Sequence, residues 1–275
     1  MKRKLKNALQ TASASDPGLV RAFNEDSISV ESELGFVILA DGMGGYKAGD
    51  VASGMATMIV TNELKQALAT KGGNGHSING NGAYGDVLKS AVTKANQAIF
   101  HAAHNKSQFQ GMGTTLVMAL FRNGKVTIGH AGDSRLYRLR QGQLELMTVD
   151  HSLLQEQVRL GLITSDDAKV SHNRNLVTRA LGVDETIQVD LKEEDARPGD
   201  VFLFCSDGLN DMVDDADIEL AMDLLQDNLP LLAKQLVNMA NDNGGHDNIS
   251  VVVAKVMDSE PTSGGLFSKF LRWLH

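Results

Sequence analysis

The amino-acid sequence predicts an α+β fold, in which groups of strands are followed by pairs of helices. Two strand-like runs open the chain, two stretches with helical spacing follow, and a strand meander then leads to a second helix pair. This order lacks the regular strand–helix alternation of a parallel α/β fold. The 275 residues, 42% of them hydrophobic, suffice for the core of one large domain rather than two small ones.

The first predicted elements are two strands followed by two helices. The segments 18–32 and 35–41 are bounded by turn residues and rich in strand formers, which predicts two strands joined by a turn. Apolar residues then recur with helical spacing over 49–69 and again over 88–99, which predicts two helices. The segment 71–85 between them is rich in Gly and Asn, so we expect a disordered loop there.

A strand meander is predicted next, from residue 113 to residue 149. The Asn-Gly pair at 123–124 predicts a tight two-residue hairpin turn within it, and the Gln-Gly pair at 141–142 predicts a weaker second one. The segment 150–185 is polar and irregular. It predicts a mobile flap that contains a short helix starting at Ser152.

The remaining chain predicts a strand at 186–191, a second strand at 201–205, two helices around 218–225 and 231–240, and a final strand. We assign the folded domain to residues 16–257, after a leader of residues 1–15. The tail 258–275 begins as a linker and then carries five apolar side chains on one helical face. That face could touch a membrane or a partner, pack on its own domain or stay loose in solution.

Composition argues against several classes of protein. Asp and Glu number 34 against 26 Lys and Arg, giving a formal net charge of -8, which does not suit a nucleic-acid binder. Cys205 is the only cysteine, which excludes an internal disulfide and suits a reducing compartment. No apolar run approaches the roughly 18 residues of a membrane span, and the N-terminus lacks the apolar core of a secretory signal. We therefore expect a cytoplasmic protein.

Acidic residues stand at the ends of four predicted strands. Asp41, Asp133 and Asp207 each follow an apolar run, whereas Asp247 precedes the last one. If the last strand is antiparallel to the others, all four carboxylates fall on one rim of the sheets. Like charges on one rim raise one another's pKa values and cost stability unless a cation sits among them. The pattern therefore predicts a metal cluster.

The ligand types point to hard cations. Oxygen ligands without clustered Cys or His favour Mg²⁺ or Mn²⁺ over Zn²⁺, and two such ions about 3.5 to 4 Å apart can activate one water. Asp41 suits the bridging position because Gly42 leaves the backbone free to approach, and Gly42 could lend its carbonyl. Arg21 supplies a planar cation for phosphate, although a continuous strand would point it away from the face of Asp26.

Six motifs occur in a fixed order between residues 18 and 256: RAFNED, ADGMGG, GTT, AGDSRLY, CSDGLND and GGHDNISVVV. Together they resemble the metal-dependent Ser/Thr protein phosphatase family, the protein phosphatase 2C-like proteins, in its bacterial form. Any one motif is weak, but six in this order are highly specific. The resemblance implies a four-layer α-β-β-α sandwich of two antiparallel sheets flanked by helix pairs, with a metal centre at one end.

The resemblance also implies which residues hold the metal ions. Asp41 matches the ligand that bridges two Mn²⁺ or Mg²⁺ ions, and Gly42 matches a carbonyl ligand of the second ion. Asp207 and Asp247 match ligands of the first ion. Asp133 matches the acid that, together with Asp207, completes a third and weaker site in bacterial members.

Three more positions match residues around the ions. Glu25 and Asp26 match acids that hold metal-bound waters, and Arg21 matches the phosphate-binding arginine. Many eukaryotic members have a His general acid where this chain has Met43, which cannot donate a proton. A metal-bound water, or a histidine from elsewhere such as His172 in the flap, would then protonate the leaving oxygen.

The activity predicted on these grounds is hydrolysis of phosphoserine and phosphothreonine in proteins by a metal-activated water, without a phosphoenzyme. The expected partners are phosphorylated proteins and a cognate Ser/Thr kinase, and we expect a monomer. Two other classes stay open. One is a phosphohydrolase of small phosphate esters or nucleotides, and the other is a catalytically silent module that binds phosphoproteins.

Overall fold

A computed structural model describes residues 9–45, 48–69, 83–164, 167 and 176–258. The strands in these ranges are β1 (Leu9–Asp16), β2 (Asp26–Glu31), β3 (Phe36–Met43), β4 (Gly113–Thr114), β5 (Leu116–Arg122), β6 (Lys125–Ala131), β7 (Arg135–Arg140), β8 (Gln143–Leu146), β9 (Asp190–Asp195), β10 (Val201–Cys205) and β11 (Ile249–Val256). The helices are α1 (Ala48–Ala69), α2 (Ala83–Asn105), α3 (Leu153–Arg159), α4 (Asp207–Asn210), α5 (Asp215–Leu225) and α6 (Leu229–Asp242).

The strands form two antiparallel sheets that pack face to face. The first sheet has the order β2-β3-β5-β6-β9, with β4 paired to the end of β3, and the second has the order β1-β11-β10-β7-β8. Helices α1 and α2 cover the first sheet, while α5 and α6 cover the second. The predicted α+β class and the α-β-β-α sandwich are therefore confirmed.

Burial on both faces explains why the central strands read as continuous apolar runs. In β3, Ile38 packs against α1 and α2, while Val37 and Leu39 pack between the two sheets. In β11, Val252 lies between the sheets and Val251 faces α5 and α6. Because successive side chains on a strand point to opposite faces, a strand covered on both sides has no polar face.

Two edge strands differ from the prediction because their sequences are polar. Strand β1 pairs with β11 along its whole length, so the predicted leader is wrong for residues 9–15, which belong to the folded domain. Strand β9 replaces the strand predicted at 186–191, and its sequence DLKEED is mostly exposed. Edge strands commonly carry charged side chains, so apolar periodicity does not reveal them.

The predicted hairpin turns and the short helix in the flap are confirmed. Asn123 and Gly124 have positive φ angles of 55° and 74°, and Gln141 and Gly142 have 54° and 74°, as a type I′ turn requires. Ser152 caps α3, because its side chain accepts a hydrogen bond from a backbone N–H in the first turn at 3.2 Å.

Several predictions fall wholly or partly outside the described residues. These are the loop 71–85, of which residues 83–85 belong to α2, the central part of the flap, and the tail beyond residue 258. Within the described residues, none of the helices is long and apolar enough to cross a membrane.

Candidate active site

Acidic side chains meet where strands of both sheets end. In the first sheet, the register of β2 and β3 places Asp26 directly opposite Asp41, and Asp133 follows β6. In the second sheet, β10 and β11 are antiparallel, so Asp207 after β10 and Asp247 before β11 lie at the same end. The final strand is antiparallel to its neighbours, as the prediction of one shared rim required.

Burial and mutual repulsion disfavour the charged forms of four of these acids, Asp26, Asp41, Asp133 and Asp207. Burial raises the pKa of Asp41 well above its ordinary value, and the charges of Asp26, Asp207, Asp133 and Asp247 raise it further. Burial likewise raises the pKa of Asp207, that of Asp26 to about 6 and that of Asp133 to about 7. The four acids predicted from strand ends, together with Asp26, thus form one interacting group, which we call the acid cluster.

Arg21 forms an ion pair with the acid cluster. Its Nη2 donates a hydrogen bond to Asp247 Oδ2 at 2.7 Å, and this bond is the main cause that raises the pKa of Arg21. The Arg21 side chain is 53% exposed. Residues 17–25 form turns and bends, not the predicted strand, which removes the difficulty that a continuous strand would point Arg21 and Asp26 to opposite faces.

Unpartnered carboxylate oxygens show that the acid cluster fits a cation. Asp26 Oδ2 accepts a hydrogen bond from Ser206 Oγ at 2.8 Å, but Asp26 Oδ1 and Asp207 Oδ1 are buried without a hydrogen-bond partner. Such atoms are costly, and oxygen donors suit Mg²⁺ or Mn²⁺. Among the described residues no three acids or histidines already form a coordination shell, so the side chains would have to rotate inward around an ion.

Close packing at the start of α1 requires glycine at position 42. A Cβ atom on Gly42 would lie 2.1 Å from the carbonyl oxygen of Gly49 and 2.6 Å from that of Glu25. The Glu25 carboxylate accepts hydrogen bonds from the backbone N–H groups of Gly49 and Asp50, where the helix dipole favours negative charge. Glu25 is therefore held in place by the N-terminus of α1, a contact that sequence reasoning missed.

The GTT motif fixes the backbone of Asp41. Thr114 Oγ1 donates to the Asp41 carbonyl oxygen at 2.8 Å, and the Asp41 N–H donates to Thr115 Oγ1 at 3.1 Å. Thr115 Oγ1 also bonds Ser134 Oγ at 2.7 Å, next to Asp133. The hydroxyls of Thr115 and Ser134 therefore link the backbone of Asp41 to the residue that follows Asp133, a role that the motif alone did not indicate.

Arg135 lies close to Asp133 but forms an ion pair with Asp150. Its Nε donates to Asp150 Oδ1 at 3.0 Å and its Nη2 donates to Asp150 Oδ2 at 2.7 Å, a two-point ion pair. Arg135 lowers the pKa of Asp133, but burial and the charge of Asp150 have larger effects and raise it. This arginine therefore offsets only part of the charge of the acid cluster.

A known family matches most of the chain. Its model, described as Protein phosphatase 2C, covers residues 20–248. The chain belongs to the protein phosphatase 2C family. The Serine/threonine phosphatase stp of Listeria welshimeri is 36% identical over 245 residues, which cover 87% of this phosphatase and 93% of the relative. PstP of Mycobacterium tuberculosis is 39% identical over 253 residues, which cover 91% of this phosphatase and 45% of PstP.

Solved structures share the fold of this phosphatase. The Mycobacterium tuberculosis serine/threonine phosphatase PstP/Ppp aligns with a TM-score of 0.81 at 36% identity, over 91% of this chain and 99% of that one. Stp1 from Staphylococcus aureus gives 0.82 at 30% identity, over 94% and 99%. The catalytic domain of PstP in complex with two manganese ions gives 0.78 at 36% identity, over 91% and 99%. The predicted family and the predicted activity class, a serine/threonine protein phosphatase, are confirmed.

The proton donor to the leaving oxygen has no assigned residue in this phosphatase. Met43, at the end of β3, pairs with Gly113 of β4, and its thioether has no proton to give. His172, the histidine suggested by the sequence, lies outside the described residues. The other predicted donor, a metal-bound water, stays a prediction as well.

Proposed function

We propose that this phosphatase hydrolyses phosphoserine and phosphothreonine in proteins at the acid cluster. One observation carries the proposal: in a chain of this family, a group of five acids, four of them with raised pKa values, converges beside an exposed arginine. Such acids are disposed to hold divalent cations, and a planar guanidinium is disposed to bind phosphate. Neither of the two alternative classes, small-ester hydrolase or silent module, has an observation in its favour.

The metal roles proposed for individual residues follow the predicted assignment. Asp41 would bridge two Mn²⁺ or Mg²⁺ ions with Asp207 and Asp247 on the first and the Gly42 carbonyl on the second, and Asp133 with Asp207 would hold a third. When bound, the ions would activate a water and neutralise charge on the phosphate. The unpartnered buried oxygens of the acid cluster support this assignment.

Glu25 and Asp26 are proposed to hold the waters around the ions. The two hydrogen bonds from the start of α1 fix the Glu25 carboxylate, which supports a positional role. The Ser206 hydroxyl fixes one oxygen of Asp26 and leaves the other free to accept from a water. Each acid would thus present an oriented acceptor to a metal-bound water.

Arg21 is proposed to bind the phosphate group of the substrate. Its guanidinium is exposed and sits at the edge of the acid cluster, where two N–H groups can meet two phosphate oxygens. Phosphate binding would exchange the contact with Asp247 for contacts with the substrate. Because Asp247 is itself a proposed metal ligand, metal binding would favour this exchange.

Replacing Arg21 with Ala is expected to raise the KM for a phosphothreonine peptide about ten- to hundredfold, since a charged hydrogen bond contributes about 1.5 to 3 kcal/mol. The measurement is steady-state hydrolysis at saturating Mn²⁺. Arg197→Ala, which removes an exposed arginine outside the acid cluster, is the control and should leave the KM unchanged. Unchanged KM and kcat in the Arg21 variant would reject the phosphate-binding role.

Exposed apolar side chains on both sides of Arg21 favour a polypeptide substrate over a small ester. Leu19, Val20 and Phe23 are 69%, 63% and 54% exposed. Apolar side chains beside a binding site offer contact area to the residues that flank a phosphorylated serine or threonine. A free nucleotide or sugar phosphate would leave much of this surface unused.

The proposal is tested by incubating the protein with a phosphothreonine peptide and excess Mn²⁺, with and without a chelator. Phosphate should be released only when the metal is free. A lack of release in both samples would contradict the proposal and favour a binding module. Equal or faster release from nucleotides at the same concentration would favour a small-ester phosphohydrolase instead.

The cellular setting is also a proposal. A Ser/Thr kinase with shared substrates is the partner that this chemistry requires, because only kinases supply phosphorylated proteins. A cytoplasmic location is supported by the single, buried Cys205, which is free. A monomeric state and a contact of the tail 258–275 with a membrane or partner remain predictions.

A further inference from the structure

Arg21 lies on an exposed loop without regular secondary structure. Residues 17–25, which we call the arginine loop, connect β1 to β2 through turns and bends. Most of its side chains are exposed, including Leu19 and Val20, so the loop buries little apolar surface of its own. Loops of this kind belong to the mobile end of the stability range unless other groups fix them.

The side chain of Asn248 fixes both ends of the arginine loop. Its Nδ2 donates to the carbonyl oxygen of Pro17 at 3.0 Å and to that of Phe23 at 2.9 Å, and its Oδ1 accepts from the N–H of Glu25 at 2.8 Å. Asn248 is 5% exposed. One buried amide therefore closes the loop around Arg21.

Only an amide satisfies all three contacts. The two carbonyl oxygens require donors and the Glu25 N–H requires an acceptor, so the flip state of Asn248 is determined by its partners. Two other contacts join the arginine loop to residues 245–248. The Leu19 N–H donates to the Gly245 carbonyl oxygen at 2.7 Å, and Arg21 forms its ion pair with Asp247.

We propose that Asn248 is a positioning residue that holds Arg21 in place for phosphate binding, an inference that rests on the proposed role of Arg21. Asn248 acts through the backbone of the arginine loop and has no contact with the phosphate. Without its three hydrogen bonds the loop must be ordered when substrate binds, which weakens affinity. The acids that would hold metal are not on this loop, apart from Glu25 at its end.

The test compares Asn248→Ala with Asn96→Ala. Asn96 is a matched control because it is also buried, at 1% exposure, and also makes three hydrogen bonds to backbone groups, at Gly182, Asp184 and Glu185. Both variants lose a similar set of contacts and should show similar losses of thermal stability. Only Asn248→Ala should raise the KM for a phosphothreonine peptide and the inhibition constant of inorganic phosphate, each about tenfold.

A double variant separates positioning from general damage. If Asn248 acts through Arg21, Arg21→Ala with Asn248→Ala should have nearly the same KM as Arg21→Ala alone, whereas independent effects would multiply. The Mn²⁺ concentration that half-saturates the rise in unfolding temperature should change less than threefold in Asn248→Ala. Multiplied effects, a wild-type phosphate inhibition constant, or an equal KM rise in Asn96→Ala would each overturn the inference.

Two further measurements keep the test decisive. If Asn248→Ala does not fold, Asn248→Ser serves instead, because its shorter side chain cannot reach all three partners and adds no charge; it should show the same rise in the phosphate inhibition constant. If the wild-type protein hydrolyses no phosphopeptide, the proposed function fails by itself. Binding of inorganic phosphate, followed by its effect on the unfolding temperature, would still show whether Asn248 positions Arg21.

Discussion

Replacing Asp207 with Asn is expected to lower the turnover of a phosphothreonine peptide about a thousandfold or more, even at high Mn²⁺. Asp207 is the proposed ligand of both the first and the third metal site, so its loss weakens both. A bound metal contributes several kcal/mol of transition-state stabilisation, and each 1.4 kcal/mol corresponds to a factor of ten in rate.

The same substitution is expected to stabilise the protein when unfolding is measured in a chelator. Burial and the charges of Asp133 and Asp247 raise the pKa of Asp207, and one of its oxygens is buried without a partner. A neutral amide removes that repulsion and can donate to the neighbouring carboxylates. A carboxylate kept for structural reasons would give the opposite result, a loss of stability.

The measurement combines activity with thermal unfolding in chelator and in Mn²⁺. Wild-type protein should unfold at a higher temperature in Mn²⁺, by about 2.7 kcal/mol of added stability at a hundredfold excess over the dissociation constant. Asp207→Asn should lose most of that increase. Asp217→Asn makes the same charge change on the exposed face of α5 and should behave like the wild type. Wild-type turnover by Asp207→Asn at saturating Mn²⁺ would refute the ligand role.

The strands that carry the acids could be predicted because both of their faces are buried. Runs such as residues 36–40 and 201–205 are apolar throughout and are followed within two residues by an acid, so both the strand and its end are visible in the local sequence. A carboxylate just after a buried apolar strand is unfavourable for stability. Residues that are unfavourable for stability are expected at functional sites.

Features that depend on distant partners could not be predicted. Strand β1 is recognisable only through its pairing with β11, more than 230 positions away along the chain. The amide of Asn248 and the arginine loop are separated by a similar distance in sequence. The contact of Glu25 with the start of α1 depends on how that helix packs against β3. None of these contacts leaves a periodic signal.

Without metal ions, the stability of the protein is expected to fall as the pH rises from 6.5 to 8. The pKa of Asp133 is raised to about 7 and those of Asp41 and Asp207 are raised well above the ordinary value, mainly by burial. Over this range the folded state binds more protons than the unfolded state, whose carboxyl groups are already ionised. Rising pH therefore favours unfolding.

Below pH 6.5 a buried histidine works against this trend. Burial lowers the pKa of His130 to about 4, so between pH 4 and 6.5 the unfolded state binds the extra proton and stability rises with pH. Asp26, with a pKa raised to about 6, contributes the opposite slope over the same range. Burial also lowers the pKa of His151, with the same effect on stability as His130. Among the described residues, the acid cluster therefore dominates the slope above pH 6.5, which is the range to measure.

The expected loss between pH 6.5 and 8 is at most about 2 kcal/mol for each carboxyl group that still holds a proton in the folded state, because one pH unit corresponds to about 1.4 kcal/mol. Urea unfolding in a chelator at several pH values measures it.

With saturating Mn²⁺ the slope of stability against pH should vanish or reverse, since metal ligands must be deprotonated and metal affinity rises with pH. The chelator slope should also be smaller in Asp207→Asn, which has one fewer titrating acid. Stability that is flat or rising in chelator over this range would mean that the acids are already ionised in the folded protein, and that repulsion among them does not prepare the site for a cation.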